Sequence, residues 1–311
     1  MNFLQALVLG ILQGLTEFLP ISSTAHLVII PWALGWPDPT KAMDVALHIG
    51  TLLALIVYFR KDLWNVMMGR DRRLLTLVII GCLPAALVLP VDKIVEKFSD
   101  PHDFVQAPLI VGIVLILFAF LLKYADVAGR KNRDLAQMTW VDALIVGFGQ
   151  TIAAAFPGAS RSGTTMTFGL FRGLTRETAV RYSFLMSVPT IAAVALYETA
   201  KVVVEKDPSI YGNLGPIAVG IIASGISGYF AVAFLMDYVK RAGMDVFLWY
   251  RIALGIAILT VFFTPALRSH TQPALPADDA VAPLSQTMQN ATEDDGKRVA
   301  GVVSQFRPPS Q

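Results

Sequence analysis

Gln13, Glu17, Ser22, Ser23, Thr24 and His26 form the densest polar group in any apolar stretch of this chain. Gln13 and Glu17 are four residues apart and share one helix face. Pro20 ends that helix, and Ser22 or Ser23 is a natural cap for the next one. His26 lies three residues beyond Ser23, over the first turn of the new helix, where an imidazole and a hydroxyl approach each other. A carboxylate, a hydroxyl and a titratable ring thus converge on one break. The plainer alternative is a Glu17–His26 hydrogen bond that only steadies the turn. Ionisable groups inside apolar membrane segments are costly, however, and as a rule mark function.

A second break supplies the opposite charge. In Phe156-Pro157-Gly158-Ala159-Ser160-Arg161-Ser162-Gly163-Thr164-Thr165, glycines free the backbone while hydroxyls and one guanidinium flank a new helix start. Backbone N–H groups and the positive dipole end there favour an anion. Arg161 adds a fork matched to phosphate oxygens, a role compatible with neutralising Glu17 when substrate is absent. Together the breaks offer a carboxylate for a metal, an anion cradle, a hydroxyl nucleophile and a histidine. That set suits phosphoryl transfer, in which positive charge stabilises the transition state while a positioned nucleophile attacks in line. The expected cofactor is a divalent cation, Mg²⁺ or Ca²⁺, held by Glu17 and substrate oxygens. Mg²⁺ in particular takes one or two carboxylates plus phosphates. Ser23 or an activated water attacks, with the covalent route through Ser23 favoured; in either route neutral His26 is the expected base, taking the proton of Ser23 or of water.

The elements that must position these residues are membrane helices. Only 15% of the 311 residues are charged and 55% are hydrophobic, with a mean hydropathy of +0.59. Soluble domains carry about 25% charged residues. Six runs read as full spans: 43–59, 74–91, 107–123, 179–198, 215–239 and 247–266. Regions 3–35 and 139–171 are apolar but interrupted, and read as re-entrant pairs of half-helices. Such breaks survive at membrane depth only when buried in protein or lining a wet cavity. Gly10 and Gly147, Gln13 and Gln150, Pro20 and Pro157, and Ser23 and Ser160 are all separated by 137 residues, and the spans follow the same offset. The expected fold is therefore an all-α polytopic membrane protein with an inverted-topology repeat. Each half, about 1–130 and 138–266, comprises one broken-helix hairpin plus three transmembrane helices. Three is odd, so the halves lie upside down relative to each other, with the site where the breaks meet.

The remaining sequence sets boundaries on this reading. No Lys or Arg precedes Lys41, so the N-terminus lacks the basic region of a signal peptide and the first apolar stretch is expected to stay. The single cysteine, Cys82, lies in an apolar run and reads as a small buried hydrophobe. A net charge of +2 gives no case for nucleic acid, and none is expected as a partner. Residues 267–311 lose the apolar pattern and read as a disordered tail. His48 reads as a helix–helix hydrogen bond rather than a site residue, Asp142 as interfacial, Asp237 and Arg251 as a pair near the span ends, and His102 and His270 as exposed loop residues.

Residues Gln13 to His26, Gln-Gly-Leu-Thr-Glu-Phe-Leu-Pro-Ile-Ser-Ser-Thr-Ala-His, and residues 157–163, Pro-Gly-Ala-Ser-Arg-Ser-Gly, closely resemble the two signatures of the undecaprenyl-diphosphate phosphatases, the bacitracin-resistance family. The resemblance covers roughly residues 1–266 and not the tail. It implies a bacterial inner-membrane enzyme that converts undecaprenyl diphosphate to the monophosphate and phosphate, recycling the carrier for peptidoglycan synthesis. By position it implies essential roles for Glu17, Ser23, His26 and Arg161, with Gln13, Ser22, Thr24, Ser160, Ser162, Gly163 and Thr165 contacting substrate. The family's first position is Glu or Gln; the neutral Gln13 here leaves Glu17 as the main carboxylate. The expected partners are the polyprenyl diphosphate and the bilayer, and a homodimer is compatible with the sequence.

The competing function is a polyprenyl-phosphate flippase, because broken-helix repeats also describe transporters. It would use the same anion cradle without needing a hydroxyl and an imidazole on one phosphorus. The acid-phosphatase class of lipid phosphatases places a His five residues beyond a Ser-Arg pair. Here Thr167 stands at the corresponding place, which excludes that class.

Loop charge orients the chain. Segments 60–73, 123–138, 172–178 and 240–246 hold 13 Lys or Arg, against 5 in 36–42, 92–106 and 199–214. The first set is therefore expected to be cytoplasmic and both chain ends outside; the active site is expected to open outward. A periplasm-dependent reporter fused after Leu267 should be active there, and a reporter active only in the cytoplasm should be silent.

Overall fold

A computed structural model describes residues 1–87, 107–204 and 214–264, and every regular element among them is helical. In chain order these are α1 (Phe3–Phe18), α2 (Ser23–Ala33), α3 (Lys41–Tyr58), α4 (Arg60–Met67), α5 (Arg72–Cys82), α6 (Ala107–Ala128), α7 (Trp140–Ala155), α8 (Arg161–Phe171), α9 (Arg176–Val204), α10 (Leu214–Arg241) and α11 (Asp245–Phe263). Five of them, α3, α6, α9, α10 and α11, are long and apolar enough to cross a membrane. Leu196, Phe230 and Trp249 stand more than half exposed on these helices. Apolar side chains turned outward on such helices are what a lipid solvent requires. The chain is an all-α polytopic membrane protein.

Run 74–91 differs from the expected uninterrupted span. Its helix α5 ends at Cys82 and tightens into a 3-10 turn over Leu83–Leu87. Pro84 has no N–H to continue the α-helical ladder. Residues 88–91 lie outside the described residues, as do His102, His270 and the tail 267–311.

The two interrupted regions are built alike. In each, a 16-residue helix (α1, α7) stops, the chain breaks, and an 11-residue helix (α2, α8) follows. Asn2 and Gln5 cap the start of α1 reciprocally, and Thr139 and Asp142 do the same for α7. Asp142 is fully buried there, held by Arg133 at 2.6 Å and Arg172 at 2.6 Å. These pairs anchor the entry to the second hairpin.

Small residues bring the hairpins against the spans. Helix α1 packs on α10 and α3, α7 on α5, and α6 on α11. A Cβ on Gly147 would lie 2.1 Å from the Gly81 carbonyl, so α7 and α5 touch backbone to backbone. Where lipid removes the hydrophobic drive between helices, such close approach supplies the packing. Gly14 sits under the same constraint, since a Cβ there would fall 2.0 Å from Ser227 Oγ and 2.5 Å from the Ser224 carbonyl. Gly14→Val should push α1 off α10 and cost about 1–3 kcal/mol, the usual size of an overpacking penalty. A lowered melting temperature of the purified protein in detergent measures it.

Candidate functional site

Glu17, near the end of α1, is the hub of the site and only 9% exposed. Gln13, one turn back on α1, donates Nε2–H to Glu17 Oε2 at 3.1 Å. Ser23, the first residue of α2, donates its hydroxyl to the same oxygen at 2.8 Å. Arg161, the first residue of α8, forms an ion pair with Glu17 Oε1. Residues 144 apart in sequence, and with them the two breaks, are thereby joined through one carboxylate. His48 on α3 completes the ring, its Nε2 lying 3.8 Å from Glu17 Oε2 and its Nδ1 bonded to the Asp44 carbonyl at 2.8 Å. The helix–helix hydrogen bond expected for His48 is absent from this arrangement; the ring bonds within its own helix and faces the site.

The breaks themselves are strained and then satisfied. Ser22 (φ 72°, ψ 99°) and Ser160 (φ 70°, ψ 114°) both adopt the positive-φ region that L-residues avoid. Each such residue costs on the order of 1–3 kcal/mol and persists only when its surroundings hold it. Ser160 Oγ accepts from Gly163 N at 3.2 Å and so caps α8. Ser162 donates across to the Leu19 carbonyl at 3.2 Å, tying the second break to the first. Ser22 caps nothing with its hydroxyl, so the first turn of α2 carries no side-chain cap. The N–H groups of that turn and its positive dipole end form one donor surface beside Ser23 Oγ.

Two sequence expectations need correction. The residue matching Ser160 is Ser22, not Ser23. The first break spans Leu19 to Ser22 and the second Phe156 to Ser160, one residue longer, which shifts the 137 offset to 138 beyond it. Ser23 therefore occupies the place that Arg161 holds in the other hairpin. The expected approach of Ser23 and His26 is also not formed. His26 Nδ1 turns back to the Ser22 carbonyl at 2.7 Å, and Nε2 meets the Tyr250 hydroxyl at 2.7 Å. The group that receives a hydrogen bond from Ser23 is Glu17.

Of the other expected residues, Thr24 is exposed. Thr165 is buried, with its hydroxyl bonded to the Arg161 carbonyl at 2.8 Å and to Ser183 at 2.6 Å, so it supports α8. Gly163 makes room for a guanidinium, since a Cβ there would lie 2.9 Å from Arg251 Nη1.

That guanidinium is the main feature missed from the sequence. Arg251 on α11 is fully buried and donates to four backbone carbonyls: Leu115 at 3.2 Å, Pro20 at 3.3 Å, Gly158 at 3.2 Å and Ala159 at 3.0 Å. It does not pair with Asp237, whose partner is Arg241 one turn along α10. Planar, with five donors and always charged, Arg suits a cage of carbonyls freed by broken helices. Its one sequence signal was a charge inside an apolar run.

Among the described residues no group of three or more His, Cys, Asp or Glu side chains is gathered to cage a metal. The donor set does suit a cation completed by substrate. Gln13 Oε1, beside Glu17, is buried without a hydrogen-bond partner, and one carboxylate with one amide oxygen leaves positions for phosphate oxygens and water.

Residues 6–257 match the family model described as Bacitracin resistance protein BacA. A protein of Pelobacter propionicus named undecaprenyl-diphosphatase is 44% identical over 276 residues, covering 85% of this chain and 98% of that one. Proteins of the same name from Moorella thermoacetica and Geobacter metallireducens are each 41% identical, covering 85% of this chain and 99% of their own.

Removing the Arg251 head group should loosen both breaks together. Arg251→Met should lower stability by at least about 1–3 kcal/mol, the cost of leaving a buried polar group unpaired. Arg251→Lys, with fewer donors, should recover only part of it. Thermal unfolding in detergent reads both.

Proposed function

The chain belongs to the bacitracin resistance protein BacA family, and from that membership and its site geometry we propose that it hydrolyses undecaprenyl diphosphate to undecaprenyl phosphate and inorganic phosphate. The observation that carries the mechanism is the Ser23 hydroxyl, donating at 2.8 Å to a carboxylate that Arg161 also holds. A nucleophile bonded to its base, beside a cation suited to phosphate, is the arrangement covalent phosphoryl transfer uses.

In this mechanism the terminal phosphate sits against the uncapped first turn of α2, and Arg161 turns its fork from Glu17 to the phosphate oxygens. Ser23 Oγ attacks the terminal phosphorus in line, and its proton passes to Glu17. The bond to the bridging oxygen breaks, and undecaprenyl phosphate leaves with that oxygen. Glu17 gives its proton up to water and then accepts one from the water that attacks the phosphoserine. Phosphate departs as Glu17 passes that proton to Ser23 Oγ, which restores the hydroxyl and the carboxylate. Glu17, with Gln13 Oε1 beside it, would hold the divalent cation, which when bound supplies charge neutralisation to the diphosphate oxygens.

In this reading the enzyme lies in the bacterial inner membrane with the site opening to the outside. The excess of Lys and Arg in the loops assigned to the cytoplasm supports the orientation of the chain. An inverted repeat is supported by the matched hairpins and their two positive-φ serines. A flippase would use the anion cradle but has no need of a hydroxyl bonded to a carboxylate.

Purified protein given undecaprenyl diphosphate with a radioactive terminal phosphate should release labelled phosphate, and rapid quenching should catch label on Ser23. Arg161→Lys keeps the charge but loses the fork, and should slow turnover at least about tenfold. No release from the lipid diphosphate would remove the enzyme reading. Release without protein label, together with a Ser23→Ala variant that still turns over, would leave water as the nucleophile.

A further inference from the structure

His26 is held on both sides. A carbonyl only accepts, so the 2.7 Å contact with Ser22 O requires the hydrogen on Nδ1. In the neutral ring Nε2 is then the acceptor, and the Tyr250 hydroxyl donates to it from 2.7 Å. The two rings lie nearly parallel, 10° apart, with centroids separated by 5.7 Å. Both nitrogens are thus engaged, and neither faces the Ser23 hydroxyl, which is bonded to Glu17.

What His26 holds is the carbonyl of the strained residue Ser22. The second hairpin performs the same task without an imidazole. There the carbonyl of positive-φ Ser160 accepts from the Thr164 backbone N–H at 2.9 Å, again four residues on, with Thr164 Oγ1 within 3.0 Å of it. Neither a backbone N–H nor a threonine hydroxyl titrates in any accessible range, so this task needs a hydrogen-bond donor and not an acid or a base.

Tyr250 also adjoins Arg251, which holds the Pro20 carbonyl. Consecutive residues of α11 therefore clamp the first break at two points, Pro20 directly and Ser22 through the ring of His26. We infer that His26 is a positioning residue, its tautomer set by the Ser22 carbonyl and its ring braced by Tyr250, so that the pinned Ser22 peptide aims Ser23 at the substrate phosphorus. This rests on the reading of Ser23 as the nucleophile and assigns the residues that orient it.

Asparagine places an amide nitrogen where Nδ1 of histidine stands but has no proton chemistry near neutral pH. His26→Asn should therefore keep kcat within about tenfold of the natural protein, while His26→Ala, lacking the donor, falls at least about a further tenfold, the scale of one lost hydrogen bond. Tyr250→Phe should lower kcat with little change in KM. In protein labelled with ¹⁵N-histidine, the His26 signals, identified by their loss in His26→Asn, should show a protonated Nδ1 and an unprotonated, hydrogen-bonded Nε2. Tyr250→Phe should shift the Nε2 signal.

The inference is overturned if His26→Asn is as inactive as His26→Ala, or if the spectrum places the proton on Nε2. Should His26→Asn fail to elute as a folded, monodisperse protein, the signals are assigned with His26→Ala, and Tyr250→Phe and the spectrum decide alone. The spectrum needs no turnover. A protein that releases no phosphate from undecaprenyl diphosphate would thus remove the enzyme reading, while the tautomer still decides what holds Ser22.

Discussion

A bilayer offers no water to hydrogen-bond a backbone, and a helix broken inside it leaves carbonyls that some other group must meet. This constraint accounts for the arrangement around both breaks. Arg251 takes the carbonyls of Pro20, Gly158 and Ala159. Ser162 takes that of Leu19 and His26 that of Ser22. Several residues that look catalytic by type are occupied in this way. The chemistry is left to the few polar groups that the backbone does not claim.

Those groups meet at Glu17. A lone carboxylate in an apolar surround is unstable unless paired, and its pairing with Arg161 joins the two hairpins. The same pairing keeps the arginine fork folded until an anion competes for it. In the proposed reaction a diphosphate brings that competing charge, so substrate binding and release of Glu17 to act as base are one event. Gln13 and Ser23, both donating to Glu17 Oε2, hold its orientation through the exchange.

The hairpins share a build but not a chemistry. At the position 137 residues beyond Glu17 stands Ala154, which cannot ionise. Where α8 is capped by Ser160, α2 is left without a side-chain cap. Ser23 and Arg161 occupy equivalent first positions, so in the proposed reaction one hairpin contributes a nucleophile and the other a cation. A matched pair of breaks then makes one asymmetric site, with the positive dipole end of α2 left for the phosphate in that proposal.

Apolar run length and the placement of Pro, Gly and charge determined much of this from the sequence alone. The membrane helices, the two interrupted hairpins and the placing of Gln13, Glu17, Ser23 and Arg161 at the breaks follow from local patterns, because helix formation and breaking are local. The direction in which each side chain points was decided only by the tertiary structure. Ser23 and His26 are three residues apart, yet the ring turns to a carbonyl behind it because Ser22 is strained and α11 brings Tyr250 within reach. Tyr250 and Arg251 have no spacing that signals the site. Their contacts join helices far apart in the chain, Tyr250 lying 224 residues beyond His26. The offset of 137 misaligned Ser23 with Ser160 because an added residue in a break alters no helical period, and only the backbone conformation reveals it.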